Sequence, residues 1–356
     1  MEILANTVLC IVLFLAIIIC ILCIRYKVEI HNLDKEYYRF PTNSNTHIQQ
    51  HNIITRESVK QCCDYVIDVL NDDDSYWVSC VNPQFLKTWK NFYKNVLPLL
   101  DTHVTIYMPA KILNTKYHSL LHRLKSPITV FCNECDEPVY TNVIDILHKN
   151  AFIKHLHIHN LELDIDMNKY PKLQHLPLGY RKNTTEGKHF FKKYFISYYY
   201  PTECVIQYLN THNVTPFHEK QKKILVAIGL TGSKWTSVSQ RKECKQYLQD
   251  KSFAYNVNKT VDQKAYYKLH DTCAFELSPM GNGVDCYRHY ETLLLETIPI
   301  IFDSYMNKTF ANLPVLIIKD VREITDGLLH TTFEKYKDWF RHNNIRDCLK
   351  LGKFMS

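Results

Sequence analysis

The chain has 356 residues, with 43 Lys and Arg against 36 Asp and Glu (formal net charge +7), 13 Cys and only 8 Gly. That length accommodates two domains of ordinary size. The positive charge is spread without a Lys/Arg block of the kind that tracks a nucleic-acid backbone, so no nucleic-acid partner is expected.

From Thr7 to Ile24 every residue is apolar or small and uncharged. At about 1.5 Å per residue the run nearly crosses a hydrocarbon layer of about 30 Å. It lacks the basic n-region and small-residue cleavage site of a secretory signal, so residues 1–24 are expected to be an uncleaved transmembrane anchor, with the bilayer as partner of residues 7–24. Glu2 before the run and Arg25 and Lys27 after it put the following chain in the cytosol by the positive-inside rule. Residues 25–55, polar and without a clear period, read as a stem. Sequons at Asn183, Asn213, Asn258 and Asn307 are matches that an Asn-rich chain produces readily. Cys132 and Cys135 form a C-x-x-C, but no second pair stands at zinc-site spacing, so structural cysteines are expected.

Short runs rich in β-branched and aromatic residues then read as strands: Tyr76–Val81, His103–Met108, Ile128–Cys132, His155–Ile158 and Gln174–Gly179. Helix-sized segments between them imply a parallel sheet with crossover helices. The alternation His155-x-His157-x-His159 favours packing or solvent contact over metal, and Asp164-x-Asp166 reads as a loop. A second series follows. It comprises a strand at Lys223–Gly229, the loop Leu230–Trp235, a helix over Ser237–Leu248 carrying Arg241, strands at Cys273–Leu277, Ile298–Phe302 and Val315–Ile318, and a terminal helix from Thr332. The expected fold class is therefore α/β, two Rossmann-like domains in series (56–205 and 206–356) behind a single N-terminal transmembrane helix.

Between the strand ending at Leu277 and the next stand a tight Gly281-Asn282-Gly283 turn and a helix beginning near Asp285. Strand, glycine turn and helix start hold phosphate well: glycines permit close backbone approach, and the helix N-terminus offers unpaired N–H groups and partial positive charge. Asp285, Arg288 and Glu291 recur at spacing three on one side, opposite a core stripe of Tyr290, Leu293, Leu294 and Thr297. One cation and two carboxylates beside such a cradle suit a nucleotide sugar; the plainer reading is a turn, an N-cap and a solvated ion pair. No G-x-S-x-G elbow, H-E-x-x-H helix or P-loop lysine motif supports a hydrolase.

The run Phe275-x-Leu277-Ser278-Pro279-x-Gly281-Asn282-Gly283-x-Asp285-x-x-Arg288-x-x-Glu291, followed by Ile298-Pro299-Ile300, resembles the C-terminal signature of exostosin-like glycosyltransferases. Weaker likeness at 131–139, 153–160 and 170–179 extends the resemblance to roughly residues 125–320. Met280 departs from it where an Arg is usual, and Thr297 where a small residue is usual. The resemblance implies a GT-B arrangement, with the nucleotide-sugar donor on the C-terminal half and a glycan or glycoprotein hydroxyl as acceptor. It implies no cofactor and no metal, and a type II membrane protein of ER- or Golgi-like membranes with a lumenal domain, opposite to the charge rule. Arg288, with Lys234, Arg241 and backbone N–H groups from Gly281, Asn282 and Gly283 to Asp285, would hold the diphosphate, and Glu291 the ribose hydroxyls. Asp285 serves either as helix cap or as ligand contact, and Arg241 either as ligand contact or as exposed helix residue. Asp136 is the first choice for catalytic base, with Glu134, Glu137 and His159 as rivals. The alternative function is a catalytically inactive GT-B-fold membrane protein that binds a sugar or a partner.

Overall fold

The computed structural model describes residues 54, 56–69, 76–80, 87–88, 97–133, 137–180, 205–230, 236–258, 261–281 and 283–354. The expected anchor and all but residue 54 of the stem lie outside them. No helix among the described residues is long and apolar enough to cross a membrane.

Two sheets organise the chain. The first has seven strands: β1 Tyr65–Val69, β2 Tyr76–Cys80, β3 Lys87–Thr88, β4 Val104–Tyr107, β5 Ile128–Cys132, β6 Ile153–Ile158 and β7 Leu173–His175, in the order β3-β2-β1-β4-β5-β6-β7. The five strands from β1 to β7 on one side pair in parallel, while β2 and β3 extend the β1 edge antiparallel. β5 reads Ile-Thr-Val-Phe-Cys and is buried throughout, as a central parallel strand covered on both faces must be. Two crossover helices, α1 Ala110–Arg123 and α2 Thr141–Lys149, cover one face, where α2 buries Val143, Ile144 and Leu147, while Val59, Leu176 and Leu351 pack with Phe131 on the other. Two expectations need correcting here. The strand at 76–81 belongs to an antiparallel edge, and the strand placed at Gln174–Gly179 ends at His175.

The second sheet is wholly parallel: β8 Gln221–Val226, β9 Ala254–Asn256, β10 Cys273–Leu277, β11 Ile298–Phe302 and β12 Leu316–Ile318. Its order is β12-β11-β10-β8-β9. The chain steps from β8 outward to β9, then returns across β8 to lay β10 on the other side. Loops leaving β8 and β10 therefore diverge, opening a crevice at their carboxyl ends, where parallel α/β sheets bind ligands. Helices α3 Thr236–Leu248, α4 Gln263–Leu269, α5 Tyr287–Leu294 and α6 Asp326–His342 complete this half. α6 starts before the expected Thr332, because Thr325 accepts a hydrogen bond from Leu328 N and caps the helix there.

Each sheet has its own apolar core. Ile106, Val130 and Leu156 meet Ile112, Ile144 and Leu147 in the first, and Ile224, Phe275 and Ile300 meet Leu248, Leu329 and Phe333 in the second. Each such side chain contributes about 1.5–3 kcal/mol by leaving water. The coarse α/β expectation, two Rossmann-like sheets in series, agrees with this architecture.

Candidate functional site

The site grows from the crevice between β8 and β10. Beyond β10, Ser278 N bonds Ile300 O at 2.9 Å, and Gly281 N bonds Gly283 O at 2.9 Å to close the turn. α5 then starts at Tyr287, with Cys286 as its extended N-cap residue. Asp285 is thus not the cap.

Two arginines span the crevice. Arg241, from the early turns of α3, donates through Nε and Nη2 to Met280 O (3.1 and 2.9 Å) and through Nη1 to Gly229 O (3.0 Å). It ties the loop after β8 to the loop after β10 and is not a free helix-surface residue. Arg288, from α5, donates through Nη2 to Ala227 O at 3.4 Å, and its Nε lies 3.5 Å from Glu276 Oε1. Burial lowers the Arg241 pKa, and the neighbouring Arg288 charge lowers it further. Burial also opposes the Arg288 charge, but Tyr266 and Glu276 outweigh it and strengthen that charge.

Glu276 lies mid-strand in β10 and is fully buried. Its carboxylate accepts from Tyr266 Oη at 2.6 Å and from the Thr292 hydroxyl, and faces His270 Nε2 at 2.9 Å. Burial alone would raise its pKa; His270, Arg288 and Thr292 reverse the sign and hold it ionised. In the sequence Glu276 filled an unassigned position of the signature. The signal for it was a lone carboxylate in the otherwise apolar run Cys-Ala-Phe-Glu-Leu, since a buried charge must find partners.

Asp285 is buried as well. Oδ2 accepts from Leu178 N (2.8 Å) and Tyr290 Oη (2.6 Å), Oδ1 lies 3.1 Å from His289 Nδ1, and His175 Nε2 is 3.6 Å from Oδ2. Burial opposes the charge, yet the His289 hydrogen bond and the two histidines pull its pKa down to about 2. Burial keeps His175 largely neutral, its pKa lowered to about 4. Asp285 therefore joins the segment after β7 to α5. Both its oxygens are engaged by protein groups, and the helix cap is Cys286 rather than Asp285. Nor do Asp285, Arg288 and Glu291 form one open helix face: Asp285 precedes the helix, and Glu291 is buried.

The glycines also act differently from the expectation. Neither Gly281 nor Gly283 has positive φ; among the described glycines only Gly179 does, at 77°. A Cβ on Gly283 would stand 2.9 Å from Asn160 Oδ1, so its bare backbone admits a side chain from the segment that follows β6. A Cβ on Gly281 would meet nothing nearer than Cys286 Cβ, at 3.6 Å. At the far end of α5, Lys220 Nζ donates to Leu295 O (2.6 Å), Glu296 O (2.9 Å) and Thr297 Oγ1 (3.1 Å). Thr297, expected on the helix stripe, lies past the helix as a partner of this buried amine. Tyr290, Leu293 and Leu294 are buried as the stripe required.

Asp136, its rival Glu134, Lys234 and Asn282 lie outside the described residues. Of the other rivals for the base, Glu137 accepts from Tyr140 Oη at 2.5 Å, and His159 is buried. His157 stacks on Phe131, ring centroids 4.5 Å apart, and burial followed by the nearby His155 lowers its pKa to about 4. Among the described residues no group of three or more His, Cys, Asp or Glu is placed to hold a metal ion. No family model matches the chain, and no curated protein matches it.

Proposed function

We propose that the chain is a membrane-anchored glycosyltransferase of GT-B type, moving a sugar from a nucleotide-sugar donor to a glycan or glycoprotein hydroxyl. One observation carries this reading: Arg241 and Arg288 converge on the crevice between β8 and β10, close enough for one charge to disfavour the other. Glu276 already faces Arg288, whereas Arg241 is held by carbonyl oxygens alone, and an anion bound at the carboxyl ends of the parallel strands would offset its charge. A diphosphate leaving group is such an anion, and preorganised guanidinium groups stabilise the charge that develops on it. Glu276 fixes the Arg288 side chain, while carbonyl oxygens orient Arg241 without neutralising it. Lys234 and the backbone around Gly281, Asn282 and Gly283 would complete the phosphate grip, Glu291 would take the ribose hydroxyls, and Asp136 would accept the acceptor's proton. No metal or cofactor enters this scheme.

A second reading rests on Met280. It brings no cation to the loop, and its carbonyl takes two donors of the Arg241 fork. That arrangement suits a GT-B-fold protein which binds a sugar or partner without turnover. Both readings are separated by incubating the purified full chain with a panel of nucleotide sugars, following hydrolysis and melting temperature. Donor hydrolysis that disappears in Arg288→Ala supports the transferase. Donor binding without hydrolysis or transfer supports the module. Absence of any melting shift across the panel overturns the transferase and the sugar-binding form of the module.

A further inference from the structure

A cavity of about 540 Å³ opens between the edge strand β7 and the C-terminal segments of the chain, and neither Arg241 nor Arg288 lines it. Its size falls within the range of about 300–1,000 Å³ typical of small-molecule sites. The wall chemistry is one-sided. Lys308 and Lys353 face it, and among the described residues no carboxylate lines it. Lys308 Nζ donates to the neutral Asn168 Oδ1 at 2.7 Å and forms no ion pair among the described residues. Lys353 forms no ion pair among the described residues. Trp339 and Phe354 supply flat apolar walls, and the amides of Gln174, Asn312 and Asn343 supply both donors and acceptors. His175, one ring nitrogen of which lies 2.9 Å from Thr309 Oγ1, closes the inner wall as a neutral group.

Two cations without an ion pair among the described residues suit an anion, an aromatic wall a ring face, and amides hydroxyl groups. We propose that this cavity binds a phosphorylated hexose, its ring on Trp339, its hydroxyls on the amides and its phosphate on Lys308 and Lys353. The site is independent of whether the arginine crevice takes a nucleotide sugar.

Calorimetry and thermal shift on the full chain test it, with glucose 6-phosphate, glucose 1-phosphate, glucose and inorganic phosphate as probes. At least one sugar phosphate is expected to bind saturably, about tenfold or more tighter than glucose or phosphate alone, in line with the loss of one good contact. Lys308→Ala/Lys353→Ala should weaken that binding at least about tenfold, and Arg288→Ala should leave it unchanged. Both lysines are exposed, so the double variant is expected to fold, which its ligand-free melting temperature verifies. The proposal is overturned by wild-type protein that ignores both sugar phosphates, or by phosphate alone binding equally well. Undiminished binding to the double lysine variant, or loss of binding in an Arg288→Ala protein that its melting transition shows to be folded, overturns it too; the latter would move the ligand to the crevice.

Discussion

Glu276 and Asp285 flank the same glycine turn, and both are buried carboxylates held ionised, yet they do different work. All the partners of Glu276 (Tyr266, His270, Arg288 and Thr292) come from α4, α5 and the turn between α4 and β10, so it sets the position of one arginine beside the crevice. The partners of Asp285 come from two distant stretches: Leu178 and His175 after and on β7, and His289 and Tyr290 on α5. The first carboxylate organises a site and the second joins the two sheets' segments. Burial and charge are common to both; where the partners originate decides whether their loss is felt in binding or in folding.

That contrast breaks most sharply at Asp285. Asp285→Ala leaves Leu178 N, Tyr290 and two histidines without their acceptor, and should cost about 3–5 kcal/mol in urea unfolding. A variant with the wild-type urea midpoint would refute the joining role. Acidity tests the same group. Its folded-state pKa of about 2 lies below its ordinary 3.8, so its stabilisation is present above about pH 4 and is lost as pH falls towards 2. His289 has the opposite sign. Burial works against its charge, but Cys286 and Asp285 lift its pKa to about 10 from 6.5, so its contribution holds below pH 6.5 and is lost as pH rises towards 10. Stability measured against pH should therefore fall at both ends, the acid limb by about 2 kcal/mol, and Asp285→Asn should flatten both limbs.

Glu276→Gln tests the other side. A cost of about 1–2 kcal/mol in stability is expected from the weakened hydrogen bonds, together with a loss of donor affinity about as large as that of Arg288→Ala. Affinity unchanged in Glu276→Gln and lost in Arg288→Ala would show that the arginine needs no positioning. The smallest effect belongs to the glycine turn. Gly283→Ala should cost about 1 kcal/mol through the clash with Asn160, relieved in an Asn160→Ala background, while Gly281→Ala should lie within about 0.5 kcal/mol of wild type. A Gly283 cost that persists without the Asn160 side chain would assign the requirement to backbone conformation.

Local patterns made much of this chain legible. Ile128–Cys132, Cys273–Leu277 and Ile298–Phe302 appear as strands at the boundaries their apolar runs indicate, and α5 buries Tyr290, Leu293 and Leu294 on the stripe their spacing marks. β1 is not legible in the sequence because Tyr-Val-Ile-Asp-Val is short and interrupted by a charge. The position of Arg288 beside a glycine turn could be read from the sequence, whereas the fork of Arg241 around Met280 O could not.

Periodicity and turn chemistry act over a few residues, so the sequence by itself determined the α/β class, the central strands of both sheets and the presence of a cation near the turn. Strand order, the crevice between β8 and β10, the approach of Asn160 to Gly283 and the partners of both buried carboxylates were decided only by the tertiary structure. These depend on which distant segments exclude water together, and a buried charge takes whatever donors that packing brings within reach.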